Sequence, residues 1–224
     1  MGTERDVRGP AAAAGGPVLV LLTGPLAPPA GVRALAAALG RLGPVLDLPL
    51  TPDRSRPADL AAPALAVLAA VSGRGAERAL LCGVGFGALV ALQVARARPE
   101  RTAALVLATR VPVLAGAVRS LGGGVAGLLP AQRLQRLGRR PALLALEQVR
   151  AVDHRPLAVS VRAPALVLAG ERAPDDRRAA AALARTLADG TVVTVPGAHP
   201  DGIWTRPADW VAAAEPFLRR HGAG

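Results

Sequence analysis

The sequence contains no lysine, no asparagine and no tyrosine, a single isoleucine (Ile203), a single cysteine (Cys82), two phenylalanines and two tryptophans. Each scarcity excludes something. With aromatics at 2%, there are no interleaved rings to stack on bases, and no recognised nucleic-acid motif occurs, so nucleic acid is not an expected partner. Without lysine the formal charge of +11 rests on arginine alone, and these arginines are scattered through predicted surface helices, as in a solvated basic face. A lone cysteine forms no internal disulfide and fits a reducing, cytoplasmic setting. Cys82, on a predicted strand, reads as a buried structural thiol. Three separated histidines (His154, His199, His221) and one cysteine do not make a metal site, and no cofactor is implied. No run is both apolar and free enough of Gly and Pro to cross a bilayer. The reading leaves room for a homodimer.

What is present suits one domain with an ample core: 224 residues, 51% hydrophobic, so the core must be built from Ala, Leu and Val. Residues 1–16 mix Glu4 and Asp6 with Arg5 and Arg8 and run into Gly15-Gly16-Pro17; they read as a disordered leader, not a signal peptide. Residues 17–224 read as a single unit without a linker or repeat. Val18 to Leu22 is a strand apolar on both faces, as in a covered parallel sheet. A helix from Gly31 to Leu42, a strand from Pro44 to Leu50 and a helix from Ala58 to Val71 follow, the last with Pro63 in its first turns. After a strand at Ala103 to Ala108 the rhythm breaks over residues 111–160, an arginine-bearing block. It resumes with a strand from Ala165 to Ala169, a helix from Asp175 to Leu187 capped by Asp175 or Asp176, a strand from Thr191 to Val195 and a helix from Pro207 to Arg220. Strands alternating with helices predict an α/β fold: a mostly parallel sheet with helices on both faces.

The chain is organised around Ala79-Leu80-Leu81-Cys82-Gly83-Val84-Gly85-Phe86-Gly87-Ala88: a short apolar run, glycine at every second position, then a helical pattern. This strand, turn and helix carry the frame Gly-x-Nuc-x-Gly, and here the chain resembles the α/β-hydrolase superfamily. The likeness extends over nearly all of residues 17–220 and implies that residues 111–160 are a reduced cap block, standing where that superfamily inserts a cap over its active site. Ala163-Pro164-Ala165-Leu166-Val167-Leu168-Ala169-Gly170-Glu171-Arg172 looks like the segment leading to that superfamily's catalytic acid, and Val195-Pro196-Gly197-Ala198-His199-Pro200 like the segment bearing its histidine, in the order nucleophile, acid, His.

The resemblance implies acyl-transfer machinery whose parts are missing. The nucleophile position maps to Gly85, with no atom to attack, and the acid position to Ala173, whose methyl holds no imidazole tautomer. Asp175, Asp176 or Glu171 could substitute for the acid. Of the two oxyanion donors, the N–H of Phe86 survives. The other falls on Pro25, after Thr23-Gly24, and proline has no N–H; such a loss costs about 3–4 kcal/mol of transition-state stabilisation. His199 is the only surviving triad position. Gly85 also removes the backbone strain that a non-glycine residue bears at an elbow. Ser55, Ser72, Ser120 and Ser160 read as loop or capping residues.

Three functions fit this pattern. The first is a non-catalytic homologue, a pseudoenzyme with a degenerate triad, that binds a small apolar ligand through Thr23, Gly24, Pro25, Gly85, Phe86 and His199 or serves as a scaffold. The second is an atypical or non-hydrolytic enzyme using His199 as general acid or base on an apolar carbonyl or ester compound. The third is an NADP-type nucleotide binder through Gly83, Gly85 and Ala88, which satisfy G-x-G-x-x-G/A after a strand, with Thr109 or Arg110 at the ribose position. Against it, that fingerprint belongs to a first βαβ unit, and a short-chain reductase would need the Tyr and Lys that are absent.

Overall fold

The computed structural model describes residues 16–24, 27–50, 59–108 and 155–223. The leader up to residue 15, Pro25, Ser55, Thr109, Arg110, Ser120, His154 and most of the cap block lie outside the described residues.

Six parallel strands form one sheet: β1 Val18–Thr23, β2 Val45–Pro49, β3 Ala79–Val84, β4 Thr102–Ala108, β5 Ala165–Gly170 and β6 Gly190–Val195, in the order β2-β1-β3-β4-β5-β6. Among the described residues the helices are α1 Pro29–Leu39, α2 Ala61–Gly73, α3 Phe86–Ala97, α4 Arg155–Val159, α5 Pro174–Thr186, α6 Gly202–Thr205 and α7 Pro207–Arg220, with 3-10 turns at Gly40–Leu42 and Pro99–Arg101. None of them is long and apolar enough to cross a membrane.

Burial on both faces explains the unbroken apolar runs. Along β1, Val18, Val20 and Leu22 pack in one core cluster and Leu19 and Leu21 in the other; Leu105 and Leu107 of β4 divide from Ala104 and Val106 in the same way. The first cluster takes Val67 and Val71 of α2, Leu89 and Leu92 of α3 and Leu183 of α5. The second takes Leu35 and Leu39 of α1 and Trp210, Val211 and Leu218 of α7. Chain direction dictates this split. The crossover from β1 to β2 runs one way across the sheet and those from β2 to β6 the other, so right-handed connections put α1 on one face and α2, α3 and α5 on the other; α7, which follows the last strand, returns to the face of α1. The reversal of strand order lies between β1 and β3, where an open α/β sheet leaves a crevice at its carboxyl edge.

Several local expectations need correction. Asp175 and Asp176 do not cap α5: Ala173 is the N-cap, Pro174 opens the helix, and both acids sit in its first turn. Their charge still suits the positive end of the helix. Helix α2 starts at Ala61, not Ala58, and the Asp59 carboxylate accepts its first N–H at 2.8 Å. The first helix ends at Leu39 and tightens into the 3-10 turn Gly40–Leu42. Helix α6, four residues long, is too short to leave a periodic signal. The last six residues of the cap block include α4, whose Leu157 and Ala158 are buried against the core.

Candidate functional site at the carboxyl edge

The site begins where β3 stops. Strand β3 ends at Val84 and α3 begins at Phe86, leaving Gly85 alone to reverse the chain. It does so at φ 60° and ψ −120°, a conformation that L side chains rarely adopt. Its N–H donates to the carbonyl of Ala108 on β4 at 3.2 Å, and its carbonyl accepts from Ala88 at 3.0 Å. The neighbouring glycines serve a different need, close approach. A Cβ on Gly83 would lie 2.6 Å from Ala88 Cα, one on Gly24 would lie 2.7 Å from Phe86 Cβ, and one on Gly87 would overlap the carbonyl of Leu22. The start of α3 is thus wedged against the end of β1, which brings Thr23 and Gly24 beside Phe86. Gly85 differs from all three: a Cβ there would meet no atom of the described residues within 4 Å.

Thr23 and Phe86 are buried, and the Thr23 carbonyl accepts from Leu50 at 2.8 Å. Pro25 lies outside the described residues.

The other half of the site joins the loops after β5 and β6. Glu171 N–H donates to Val195 at 3.0 Å, Arg172 N–H donates to Ala198 at 2.9 Å, and the Glu171 carboxylate accepts the N–H of Gly197 at 2.6 Å. A Cβ on Gly170 would sit 2.5 Å from the Ala198 carbonyl, so glycine is needed for the loops to meet. This stitching draws the Ala173 and His199 segments together. Ala173 is buried and its carbonyl accepts from Arg177 of α5 at 2.9 Å. The His199 ring is exposed.

The carboxylates weighed as substitutes for the acid have other partners. Glu171 is taken by Gly197, and Asp175 pairs with Arg178 at 3.3 Å, both side chains largely exposed. Against His199 Nε2, at 3.4 Å, stands Nη1 of Arg172. A guanidinium only donates, so a hydrogen bond between the two uses Nε2 as its acceptor. Sequence reading took Arg172 only as part of the acid segment. Nothing in the sequence marks it as the neighbour of His199, because that contact depends on the stitching of two loops 27 residues apart.

Beneath the carboxyl edge an apolar cavity of about 30 Å³ lies between the sheet and helices α1 and α7, lined in part by Cys82, Val84, Ala108, Leu168, Ile203 and Trp210. Cys82 is buried, and that burial pushes its thiol up to about 12. Thiolate is the reactive form, so the native chain should resist a disulfide thiol reagent at pH 8 and react with one equivalent once unfolded. Prompt labelling of the folded chain would contradict the burial. Among the described residues no cluster of His, Cys, Asp and Glu could hold a metal ion.

No protein-family model matches this chain, and no curated protein does. Solved structures do. NosK from Streptomyces actuosus is 25% identical with TM-score 0.62, the match covering 92% of this chain and 99% of that one. Epoxide hydrolase A from Mycobacterium thermoresistibile is 20% identical, TM-score 0.65, over 93% of each chain. MGS-MChE2, an α/β hydrolase enzyme from a lagoon-sediment metagenome at Mar Chica, Morocco, is 13% identical, TM-score 0.63, over 92% of each chain. With a six-stranded parallel sheet, helices on both faces and these neighbours along nearly the whole chain, the chain has the α/β-hydrolase fold.

Proposed function

We propose that this chain is an α/β-hydrolase-fold protein without serine-hydrolase chemistry, a binder of a small apolar ligand at the carboxyl edge of its sheet or a scaffold built on that edge. One observation carries the reading. Gly85 occupies the turn between β3 and α3 at φ 60°, and a Cβ there would meet no atom of the described residues within 4 Å; the strand, turn and helix of an elbow are present, and the residue between them carries no attacking atom. Supporting it, Ala173 sits where an acid would orient His199, and Glu171 and Asp175 are held by other groups. The neighbours whose names state a hydrolase activity concern those proteins; the missing hydroxyl separates this chain from that chemistry.

A second reading is an enzyme that uses His199 as general acid or base on an apolar carbonyl or ester compound. The exposure of the ring favours it; the Arg172 contact at Nε2 must open first if that nitrogen is to act as base. The nucleotide-binder reading has only the glycine spacing behind it. Its ribose positions, Thr109 and Arg110, are outside the described residues.

The test is hydrolysis of short p-nitrophenyl esters by the wild type, by His199→Ala and by Gly85→Ser combined with Ala173→Asp. The wild type should give no turnover above buffer, and the double variant should gain measurable hydrolysis. Robust wild-type turnover abolished by His199→Ala would overturn the proposal in favour of a histidine-activated water. A thermal-shift series separates the rest: stabilisation by NADP points to the nucleotide reading, and stabilisation by apolar carbonyl compounds alone to the first two.

A further inference from the structure

In a parallel sheet every strand starts at one edge, and the crossover helices end there. Charge is divided unequally between this amino edge and the carboxyl edge opposite. Among the described residues the carboxyl edge is near balance, as where Asp175 and Asp176 stand beside Arg177 and Arg178, and Asp209 beside Arg206. The amino edge is basic. Arg78, Arg101 and Arg162 shortly precede β3, β4 and β5. On one face of the sheet Arg41 follows α1, and Arg219 and Arg220 end α7. The end of α7 is placed at this edge by Gly222, whose Cβ would lie 2.8 Å from Pro17, just ahead of β1. On the other face Arg74, Arg96, Arg98 and Arg185 stand at the ends of α2, α3 and α5.

Ten arginines thus share this edge with four acids, Glu77, Glu100, Asp189 and Glu215, among the described residues. Eight of the ten are exposed, and Arg74 and Arg101 are half-buried. Hydrogen bonds to neutral groups hold some of them in place and leave the charge unspent. Arg78 donates to the Thr102 carbonyl at 3.0 Å, and Arg101 donates to Ser72 Oγ at 2.9 Å and to the Ala76 carbonyl at 3.1 Å. Arg219 pairs with Glu215 at 2.8 Å. Helix dipoles favour a base in the last turn, but that preference does not reach the three arginines ahead of strands. Five helix ends, at about half a negative charge each, offset less than half of the excess.

We propose that the amino edge of the sheet docks on an anionic lipid bilayer and turns the carboxyl edge, with its candidate site, to the water. The shape of the charge selects this occupant. Strands about 4.8 Å apart spread the arginines along the sheet, and helix ends on both faces widen the array, so the charge covers an area and not a line. A nucleic acid would meet such a face along one stripe; a bilayer meets all of it. Phe217 and His221, the rings at the end of α7, pack on each other with centroids 4.5 Å apart, so they do not form a row of free rings for stacking on bases.

Guanidinium forks suit lipid phosphates, because each offers paired N–H donors in a fixed plane. The contact is peripheral, since no described helix is long and apolar enough to cross a membrane. Its strength comes from many small contributions. Each arginine held within a Debye length of the surface, about 8–10 Å, adds to the attraction, which therefore grows with the charge of the lipid and fades with salt.

Flotation of the full chain with lipid vesicles tests it. The wild type should float with phosphatidylcholine vesicles that carry about 30% phosphatidylglycerol, should not float with phosphatidylcholine alone, and should release as salt rises from roughly 50 to 500 mM. Two double variants locate the contact. Arg98→Glu with Arg162→Glu reverses two exposed charges of the amino edge, and Arg177→Glu with Arg178→Glu makes the same change in net charge at the carboxyl edge. The first pair should weaken binding by about tenfold or more and the second by less than about threefold, with circular dichroism unchanged in both. Hydrogen exchange on the anionic vesicles needs no variant: the turns at 74–78 and 98–101 should gain protection and the loop at 197–201 should not. A wild type that ignores anionic vesicles, equal weakening by both pairs, protection at 197–201 instead, or release from the vesicles by duplex DNA at equal phosphate would each overturn the proposal.

Discussion

Gly87→Ala should leave the chain largely unfolded, while Gly85→Ala, two residues earlier, should fold with a modest loss. Both are elbow glycines, but for opposite reasons. At Gly87 the added methyl would overlap the carbonyl of Leu22 on β1. That strand is fully buried and paired on both sides, so its backbone has nowhere to move. Relief would require α3 to lift off the sheet and surrender the burial of Leu89 and Leu92. Such a loss belongs among the rare single substitutions that cost more than about 4 kcal/mol, out of about 5–15 kcal/mol for a whole domain. At Gly85 the methyl meets no atom of the described residues, and the positive-φ backbone resists it at about 1–3 kcal/mol. Urea titration followed by circular dichroism checks the pair. Equal losses would mean that the start of α3 is not wedged against β1.

Trp210→Ala is expected to cost about 3–5 kcal/mol, as other large aromatic truncations in cores do. The ring lies between α7 and the sheet, 5% exposed, and borders the 30 Å³ cavity, so truncation enlarges a void the fold already tolerates. Trp210→Phe should behave differently. The indole N–H is buried, close to Gly202, with no hydrogen-bond partner among the described residues. An unmade bond of that kind costs about 1–3 kcal/mol. Phenylalanine removes the orphan donor and gives up only part of the packing, so its stability should fall within about 1 kcal/mol of the wild type. Thermal unfolding of the two variants distinguishes a packing role from a bonding one: a large loss in Trp210→Phe would show that the N–H has found an acceptor.

The sheet was legible in the sequence because burial on both faces leaves continuous apolar strands. Val18 to Leu22 and Ala165 to Ala169 could be read without any partner strand in view. Helix α7 was legible to its ends, Pro207 at the start and Arg220 at the finish, since proline and the helix dipole mark termini locally. The elbow was legible for the same reason, as a local turn written in glycine spacing. Where the signal is tertiary, reading failed. Asp175 looked like a helix cap, yet Pro174 starts α5 one residue sooner. Glu171 looked like a spare catalytic acid, yet it spends its carboxylate on the N–H of Gly197, a residue brought near by the pairing of β5 with β6. Arg172 gave no signal at all, because its meeting with His199 exists only once both loops are joined.

The lack of any described atom within 4 Å of a Cβ at residue 85 has a practical consequence. The native thiol at Cys82 is sealed in the core, so a Gly85→Cys variant would carry one addressable sulfur in the whole molecule. A fluorophore or spin label attached there would sit at the turn between β3 and α3 and report directly on whatever binds at the carboxyl edge of the sheet.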